Sequence, residues 1–282
     1  MIKFTKMEGL GNDYVYIDCT QMDEKEIDDI SKLAKRISDR HFGIGSDGLI
    51  LICRSEKADF KMVMYNSDGS QAEMCGNGIR CVGKFVYDKG LTNKTNILIE
   101  TLAGIKEIQL CIRNGEVEKV TVNMGEPILK SEKIPVISDE SIVKNLKIKA
   151  LDREFIFTCV SMGNPHAITI VDNLDNFEVQ KYGKVLEVDE HFPQKANIEF
   201  IEIIDRNTIK MRVWERGAGE TLACGTGASA TCVACTLNNL VNEKQNIKVQ
   251  LLGGELDIKW DKDVFMTGNA KIVFEGQLEK NI

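Results

Sequence analysis

The sequence lacks a long apolar run and any excess of positive charge, and each absence excludes a class of function. No stretch of about 20 apolar residues, the length that crosses a bilayer, occurs in its 282 residues, and no secretory leader is visible. The formal net charge is −7, whereas a surface for nucleic acid or anionic lipid needs a basic stripe. We therefore expect a cytoplasmic protein that acts on a small molecule, with no nucleic-acid or membrane partner.

The usual sequence signatures of metals and cofactors are also missing or misplaced. Cys232 and Cys235 form a CxxC pair within an apolar run, without the second pair that a zinc site needs. The GxGxxG pattern at 43–48 follows a predicted helix and precedes a strand, the reverse of the dinucleotide-binding order. No lysine stands in a context typical of a pyridoxal phosphate site. We predict no metal and no cofactor.

Two of the nine cysteines differ from the rest. An odd number of cysteines without a leader favours reduced, mostly buried thiols, and the four in or beside strand-like runs, Cys19, Cys53, Cys111 and Cys159, are predicted to be core residues. Cys75, in MCGNGIRC, and Cys224, in ACGTGASATC, each precede a Gly-x-Gly turn where a helix is predicted to begin. A thiol there lies beside free backbone N–H groups and the positive end of the helix dipole, which favour its thiolate. Two such thiols predict a paired acid and base.

The chain repeats itself, which places these two cysteines in equivalent positions. LGNDYVYID at 10–18 matches MGNPHAITIVD at 162–172, so that Asn12 aligns with Asn164. KMVMYN matches KMRVWE, so that Asn66 aligns with Glu215, each nine residues before its cysteine. Because the matches recur in order, we infer a gene duplication. Two homologous halves related by a pseudo-twofold axis would bring the two cysteines to opposite sides of one cleft.

Each half is predicted to be α+β, with a curved, mainly antiparallel sheet, a barrel or roll, around a central helix. The helix after Cys75 should end before Gly90, and the helix after Cys224 has small or apolar residues almost all round, which is typical of a buried helix. Residues 97–112 and 247–260 each read as a hairpin, and residues 24–40 as a surface helix. The repeat alone divides the chain near 130–150.

This arrangement suits removal of the α-proton of an amino acid. Two helix N-termini could hold the substrate carboxylate as negative charge develops on it. A thiolate on one face of the carbon would take the proton and a thiol on the other would return it, which predicts a bell-shaped pH dependence. Glu215 and His166 could set the balance between the sulfurs, although His166 in GNPH could equally be an ordinary loop histidine.

The motifs NSDGSQAEMCGNGIRC, SMGNPH, WERGAGETLACGTGA and MEGLGNDY resemble those of the diaminopimelate epimerase family along essentially the whole chain. The resemblance implies an isomerase, free of cofactor and metal, that interconverts LL- and meso-2,6-diaminopimelate in lysine and peptidoglycan synthesis. It also implies two similar halves with the substrate in the cleft between them, and a homodimer. The implied domains are 1–124 plus 266–282, carrying Cys75, and 125–265, carrying Cys224.

The resemblance further assigns roles to individual residues. Cys75 and Cys224 would be the two bases, and Glu215 would contact the reacting amino group while His166 tunes the thiols. Arg216 would pair with the distal carboxylate, a role that suits its planar set of donors. The remaining substrate-binding residues would be Asn12, Asn66, Gly76, Asn77, Asn164, Asn197, Gly225 and Thr226.

Two alternatives remain open at this point. A related racemase for proline, hydroxyproline, histidine or another amino acid would share the scaffold. Proline-type relatives tend to have histidine at the position of Asn77, and a substrate without a second carboxylate would have little use for Arg216. A thiol redox sensor, with Cys75 and Cys224 forming a switchable disulfide, is the alternative from another class.

Overall fold

The computed structural model describes residues 1–22, 27 and 29–279, and the chain divides into two compact units. Unit 1 comprises Met1–Val122 with Gly268–Ile282, and unit 2 comprises Asn123–Thr267. Each unit is α+β, with strands surrounding one buried helix, which confirms the predicted fold class. None of the helices described is long and apolar enough to cross a membrane.

The elements are numbered here in chain order. The strands are β1 Ile2–Gly9, β2 Asn12–Cys19, β3 Gly48–Cys53, β4 Phe60–Asn66, β5 Gln71–Ala72, β6 Asn96–Thr101, β7 Gly104–Arg113, β8 Glu116–Gly125, β9 Leu146–Ala150, β10 Arg153–Ser161, β11 Pro165–Ile170, β12 Asn197–Asp205, β13 Thr208–Glu215, β14 Gly219–Thr221, β15 Ile247–Leu251, β16 Gly254–Trp260, β17 Val264–Gly268 and β18 Lys271–Leu278. The α-helices are α1 Ile30–Ser38, α2 Gly76–Asp88, α3 Val179–Leu186 and α4 Gly225–Leu237.

The sheet of unit 1 follows the order β18, β1, β2, β3, β4, β6, β7, β8, and β5 folds back on β4. Within this order of described strands, β2–β3 and β4–β6 are the parallel pairs. Helix α2 packs against β1 and β2 near one end of this order and against β7 near the other. The sheet therefore curves around α2, most of whose residues are buried.

The sheet of unit 2 repeats this plan strand for strand. Its order is β9, β10, β11, β12, β13, β15, β16, β17, with β14 folding back on β13 and with β11–β12 and β13–β15 as the parallel pairs. Helix α4 packs against β10, β11, β12, β15 and β16. The sequence repeat is thus a repeat of structure. One strand differs in chain order, because β9 begins unit 2 whereas its counterpart β18 is the last strand of the chain.

Several local predictions are confirmed. Helix α2 ends at Asp88, and Gly90 adopts the left-handed backbone (φ +71°) expected just beyond a helix end. Helix α4 is buried almost throughout, and both predicted hairpins form, as β6–β7 and β15–β16. Cys19, Cys53 and Cys159 are buried as predicted.

Two local predictions need correction. The surface helix expected at 24–40 begins only at Ile30, because Asp29 caps it by accepting a 3.0 Å hydrogen bond from the Lys32 N–H. The part of that prediction on residues 24–26 and 28 lies outside the described residues. Cys111 is exposed rather than buried, because β7 alternates buried and outward-facing residues and Cys111 faces outward.

Helix α3 packs closely against β13 at Gly183. This close contact leads to a prediction about stability. A Cβ atom on Gly183 would lie 2.5 Å from Cβ and 2.6 Å from Cγ of Trp214. We expect Gly183→Ala to destabilise the protein by about 1–3 kcal/mol, since the helix must move away from the indole. Urea unfolding measures the change. Gln180→Ala, at an exposed position on the same helix, is the control, and equal effects from both changes would contradict the contact.

Candidate active site

In unit 1, Cys75 caps the N-terminus of α2. Its backbone is extended (φ −132°, ψ 122°), and its Sγ accepts a 3.3 Å hydrogen bond from the N–H of Gly78. The side chain is half-buried. Because the sulfur takes the place that Ser or Asp usually occupies in a cap, it lies at the positive end of the helix dipole, as the sequence predicted.

Cys75 makes a second hydrogen bond, with the side chain of Asn12. The Asn12 amide Nδ2 donates to Asp47 Oδ2 at 2.7 Å, and its Oδ1 accepts from the Cys75 thiol at 3.2 Å. An ionised carboxylate can only accept hydrogen bonds, so Asp47 fixes the amide nitrogen on its own side and turns the Asn12 carbonyl toward the sulfur. Tyr14, buried beside Cys75, has a pKa well above its usual value because of burial and the neighbouring sulfur.

The first turn of α2 is held by a buried arginine. The Arg80 guanidinium donates to the Gly76 carbonyl at 3.2 Å, to Asn77 Oδ1 at 3.0 Å and to the Asn269 carbonyl at 3.3 Å. Arg80 is completely buried, and burial lowers its pKa. Asn66, the other polar residue predicted here, donates from Nδ2 to Ser70 Oγ within its own turn.

In unit 2, Cys224 caps α4 in the same manner as Cys75 caps α2. Its Sγ accepts from the Gly227 N–H at 3.3 Å and lies 3.4 Å from Thr226 Oγ1. Unlike Cys75, it is buried. Burial raises the pKa of the Cys224 thiol well above its usual value, and the carboxylates of Glu215 and Glu199 raise it further. The helix N-terminus is therefore outweighed here by desolvation and negative charge.

His166 is the centre of a buried chain of contacts. Its Nδ1 lies 2.6 Å from Glu199 Oε1 and its Nε2 lies 3.0 Å from Asn164 Oδ1. The Asn164 amide in turn reaches Thr226 Oγ1 at 3.4 Å, in the first turn of α4. The side chains of His166 and Glu199 are fully buried. His166 lies in strand β11 and not in a loop. The alternative that it is an ordinary loop histidine is therefore wrong about its position.

Glu215 and its neighbours complete the residues predicted in unit 2. Glu215 accepts from the Thr221 hydroxyl, and burial raises the pKa of Glu215, with the charge of Glu199 adding to the shift. Asn197 is buried, donating to the Pro165 carbonyl and accepting from the Arg216 N–H, both at 2.9 Å. The guanidinium of Arg216 is exposed and donates to the Gln194 carbonyl at 3.0 Å.

Each unit thus gathers most of the site residues predicted for it. Unit 1 brings Asn12, Gly76 and Asn77 to Cys75, and Asn66 stays in its own turn. Unit 2 joins Asn164, His166, Glu215, Gly225 and Thr226 around Cys224, and links Asn197 to Arg216. Within the described residues, no group of three or more His, Cys, Asp or Glu side chains could hold a metal ion.

Sequence reasoning missed three residues. Tyr14 and Glu199 lie in strands whose other residues are mainly apolar, and Arg80 lies in a buried helix. The sequence carried no clear signal for Glu199 or Arg80, because β12 also contains Glu202 and Asp205 and α2 also contains Lys84 and Asp88.

Comparison with known proteins gives the family. Residues 4–130 and 158–273 match the family model described as diaminopimelate epimerase. The chain belongs to the diaminopimelate epimerase family. It is 58% identical over 281 residues to a diaminopimelate epimerase of Methanococcus maripaludis, covering 99% of this chain and 100% of that protein. It is 56% identical to one of Acetivibrio thermocellus, covering 99% of each. The prediction of an isomerase of this family is confirmed.

Solved structures of lower similarity share the fold. A hydroxyproline epimerase from Agrobacterium vitis superposes with a TM-score of 0.72 at 14% identity, over 98% of this chain and 91% of that chain. A phenazine biosynthesis protein of the PhzF family from Bacillus anthracis gives a TM-score of 0.70 at 20% identity, over 99% of both. At such identities the likeness concerns the fold alone.

The buried hydrogen bonds of Asn197 predict a structural effect in this family member. In Asn197→Ala, the Pro165 carbonyl and the Arg216 N–H lose their partner, and we expect a loss of stability of about 1–3 kcal/mol. Asn66→Ala is the matched control, since its side chain bonds the hydroxyl of the exposed Ser70, and it should change stability by less than about 0.5 kcal/mol. Urea unfolding of both variants checks this, and equal values would show that the Asn197 contacts contribute little.

Proposed function

We propose that this protein interconverts LL- and meso-2,6-diaminopimelate without a cofactor, using Cys75 and Cys224 as two bases on opposite faces of one α-carbon. The observation that carries the proposal is the repeated cap: in both units, the sulfur of a cysteine takes the N-cap hydrogen bond of a buried helix. Family membership, with 58% identity to a named diaminopimelate epimerase, supports the substrate.

The difficulty of the reaction lies in the charge that forms when the α-proton leaves. Without an electron-sink cofactor, the neighbouring carboxylate must take up that charge, and it needs donors already in place. Backbone N–H groups at Gly76–Asn77 and Gly225–Thr226, in the first turns of α2 and α4, are such donors. Removing one comparable donor costs about 10²–10³ in rate in well-studied enzymes. Thr226 contributes its N–H, so its side chain matters less.

The proton inventory requires one charged and one neutral sulfur. The thiolate takes the α-proton and becomes a thiol, while the opposite thiol gives its proton to the other face and becomes a thiolate. The configuration inverts and the charge has changed sides, so the reverse reaction starts from the exchanged roles. Glu215 would contact the reacting amino group, and His166 would tune the thiols through its neighbours.

Recognition of the far end of the substrate falls to Arg216 and the asparagines. Arg216 presents an exposed guanidinium, and its planar donors suit a carboxylate. Asn12, Asn66 and Asn164 would position the substrate. Asn197 would act by holding Arg216, because its carbonyl already accepts from the Arg216 backbone.

The cellular setting and domain division are part of the proposal. We infer a cytoplasmic homodimer from the family resemblance. Functional domains at 1–124 plus 266–282 and at 125–265 are supported by the compact units, which run 1–122 with 268–282 and 123–267. A racemase for proline or hydroxyproline shares the fold, but such a substrate would give Arg216 no second carboxylate to bind.

Substrate choice is tested with a panel of amino acids. We expect epimerisation of LL-diaminopimelate and little turnover of proline, hydroxyproline, histidine or glutamate, measured by chiral chromatography. Arg216→Gln should raise KM for diaminopimelate by at least tenfold, because a charge-assisted contact to the distal carboxylate is lost. Arg206→Gln, at an exposed turn outside the proposed site, is the control. Failure with diaminopimelate and success with another member of the panel would overturn the substrate assignment.

The two-base step is tested with cysteine variants and solvent label. Cys75→Ala and Cys224→Ala should each reduce epimerisation by at least about 10³-fold with the fold intact, whereas Cys111→Ala, at an exposed strand position, should not. In deuterated water, early label should appear in the epimerised product and little in recovered substrate. Rapid label in both species would point to a single exchanging base, and activity in the double variant would end the proposal.

A further inference from the structure

The two cysteine clusters are built on the same plan but differ in charge at one position. In unit 2, β11 and β12 pair His166 with Asn197 and, two residues on, Ile168 with Glu199. In unit 1, β2 and β3 pair Tyr14 with Gly48 and, two residues on, Tyr16 with Ile50. Ile50 is therefore the counterpart of Glu199. A carboxylate stands in unit 2 where unit 1 has an alkyl side chain.

Both side chains at this position point at the first turn of the central helix. A Cβ atom on Gly227 would lie 2.7 Å from Glu199 Oε1 and 3.2 Å from Cys224 Sγ. A Cβ atom on Gly78 would lie 2.8 Å from Ile50 Cδ1 and 3.4 Å from Cys75 Cβ. The Glu199 carboxylate and the Cys224 sulfur thus both lie close to Gly227, in the first turn of α4.

One of the two carboxylate oxygens of Glu199 has no hydrogen-bond partner among the described residues. Glu199 is completely buried, and its Oε1 lies 2.6 Å from His166 Nδ1, but its Oε2 is buried without a hydrogen-bond partner. A buried carboxylate oxygen left without a donor is costly, and such a group is retained where its charge has a use.

The groups that act on Cys224 come from two strands and from α4. They are the carboxylates of Glu215 on β13 and Glu199 on β12, and the Thr226 hydroxyl with the Gly227 N–H on α4. The imidazole of His166 on β11 lies behind them, in contact with Glu199 and acting on Glu215. Burial and the two carboxylates raise the pKa of the Cys224 thiol. Burial, followed by the charges of Glu199 and Glu140, likewise raises the pKa of the Cys159 thiol on β10.

The surroundings of Cys75 favour charge on sulfur more than those of Cys224 do. Arg80, a buried cation on α2, bonds the Gly76 carbonyl, and its counterpart on α4 is the uncharged Ser229, which bonds the Gly225 carbonyl at 2.9 Å. Electrostatic interaction with the Cys75 sulfur favours the charged form of Arg80, so by reciprocity Arg80 favours the thiolate. Among the described residues, the groups that oppose a Cys75 thiolate are the Asn12 carbonyl, Tyr14, Tyr16 and Cys81, together with two carboxylates, Asp47 behind Asn12 and Glu8, whose charge acts on Arg80 and Cys81. The buried Arg80 cation offsets part of this negative charge, whereas the uncharged Ser229 stands at its place beside Cys224.

We infer that Glu199 is a positioning residue that keeps Cys224 protonated in the resting enzyme, so that Cys75 is the sulfur that loses its proton first. The inference rests on the proposed two-base reaction and adds to it the starting state. LL and meso substrates would then meet an unsymmetrical enzyme: one direction begins from the resting state, and the other first requires the proton to be moved between the sulfurs.

The test uses alkylation of the full-length protein without substrate, because a thiolate reacts with iodoacetamide and a thiol does not. Rates at Cys75 and Cys224 are followed by peptide mass spectrometry across a pH series. In the unmodified chain, Cys75 should react at lower pH than Cys224. In Glu199→Gln, which keeps an acceptor for His166 but removes the charge, the Cys224 profile should move to lower pH by about one unit while the Cys75 profile stays in place. Glu199→Asp, which keeps the charge, should leave the Cys224 profile near its original position.

Activity gives a second readout that a merely structural residue would not move. Because the Cys224 thiol must keep its proton to act as the acid, the alkaline limb of kcat/KM should shift to lower pH in Glu199→Gln and stay in Glu199→Asp. Reaction of Cys224 before Cys75 in the unmodified chain would overturn the inference, as would an unmoved Cys224 profile in Glu199→Gln. Since alkylation needs no turnover, its result stands apart from that of the substrate panel.

Discussion

A sulfur atom in the N-cap position of a buried helix is the constraint on which the site depends. The cap hydrogen bond from the third following N–H fixes the cysteine against the helix, and the adjacent Gly-x-Gly turn keeps the backbone N–H groups uncovered. Neither helix could take this position alone, since both are largely buried and become stable only inside a curved sheet. The sheet supplies Asn12 to one sulfur and Glu199 to the other, so the chemistry of each cap is decided by strands distant in sequence.

Much of the fold followed from sequence because each element carried a local signal and the repeat gave each signal twice. The buried character of α4, the end of α2 before Gly90 and both hairpins were readable from residue type and spacing. The predicted surface helix begins too early in the sequence, because the spacing of apolar residues does not show where a helix starts. Its start is set by the Asp29 cap, which is a single hydrogen bond. Cys111 was misplaced because strand alternation decides burial one residue at a time, and an extended run does not show which face is inside.

The site was predictable to the extent that it lies in short motifs. Both cysteines, their glycines and the residues of the GND and GNPH segments stand in such motifs. Glu199 and Arg80 do not, because their importance comes from a register between strands and from a helix turn placed against distant carbonyls. The sequence repeat aligned Asn66 with Glu215 and so hinted at unequal charge. The stronger contrast, Ile50 against Glu199, needed the strand pairings to be visible.

The pairing of β18 with β1 has a consequence for synthesis of the chain. Unit 2 is one continuous stretch of chain, so its strands are made one after another. Unit 1 receives its border strand β18, and the Asn269 carbonyl that accepts from Arg80, only from residues made after the whole of unit 2. During synthesis, unit 2 would therefore be complete before unit 1. Helix α2, which follows Cys75, would receive its last contacts only after helix α4, which follows Cys224, is enclosed by its sheet.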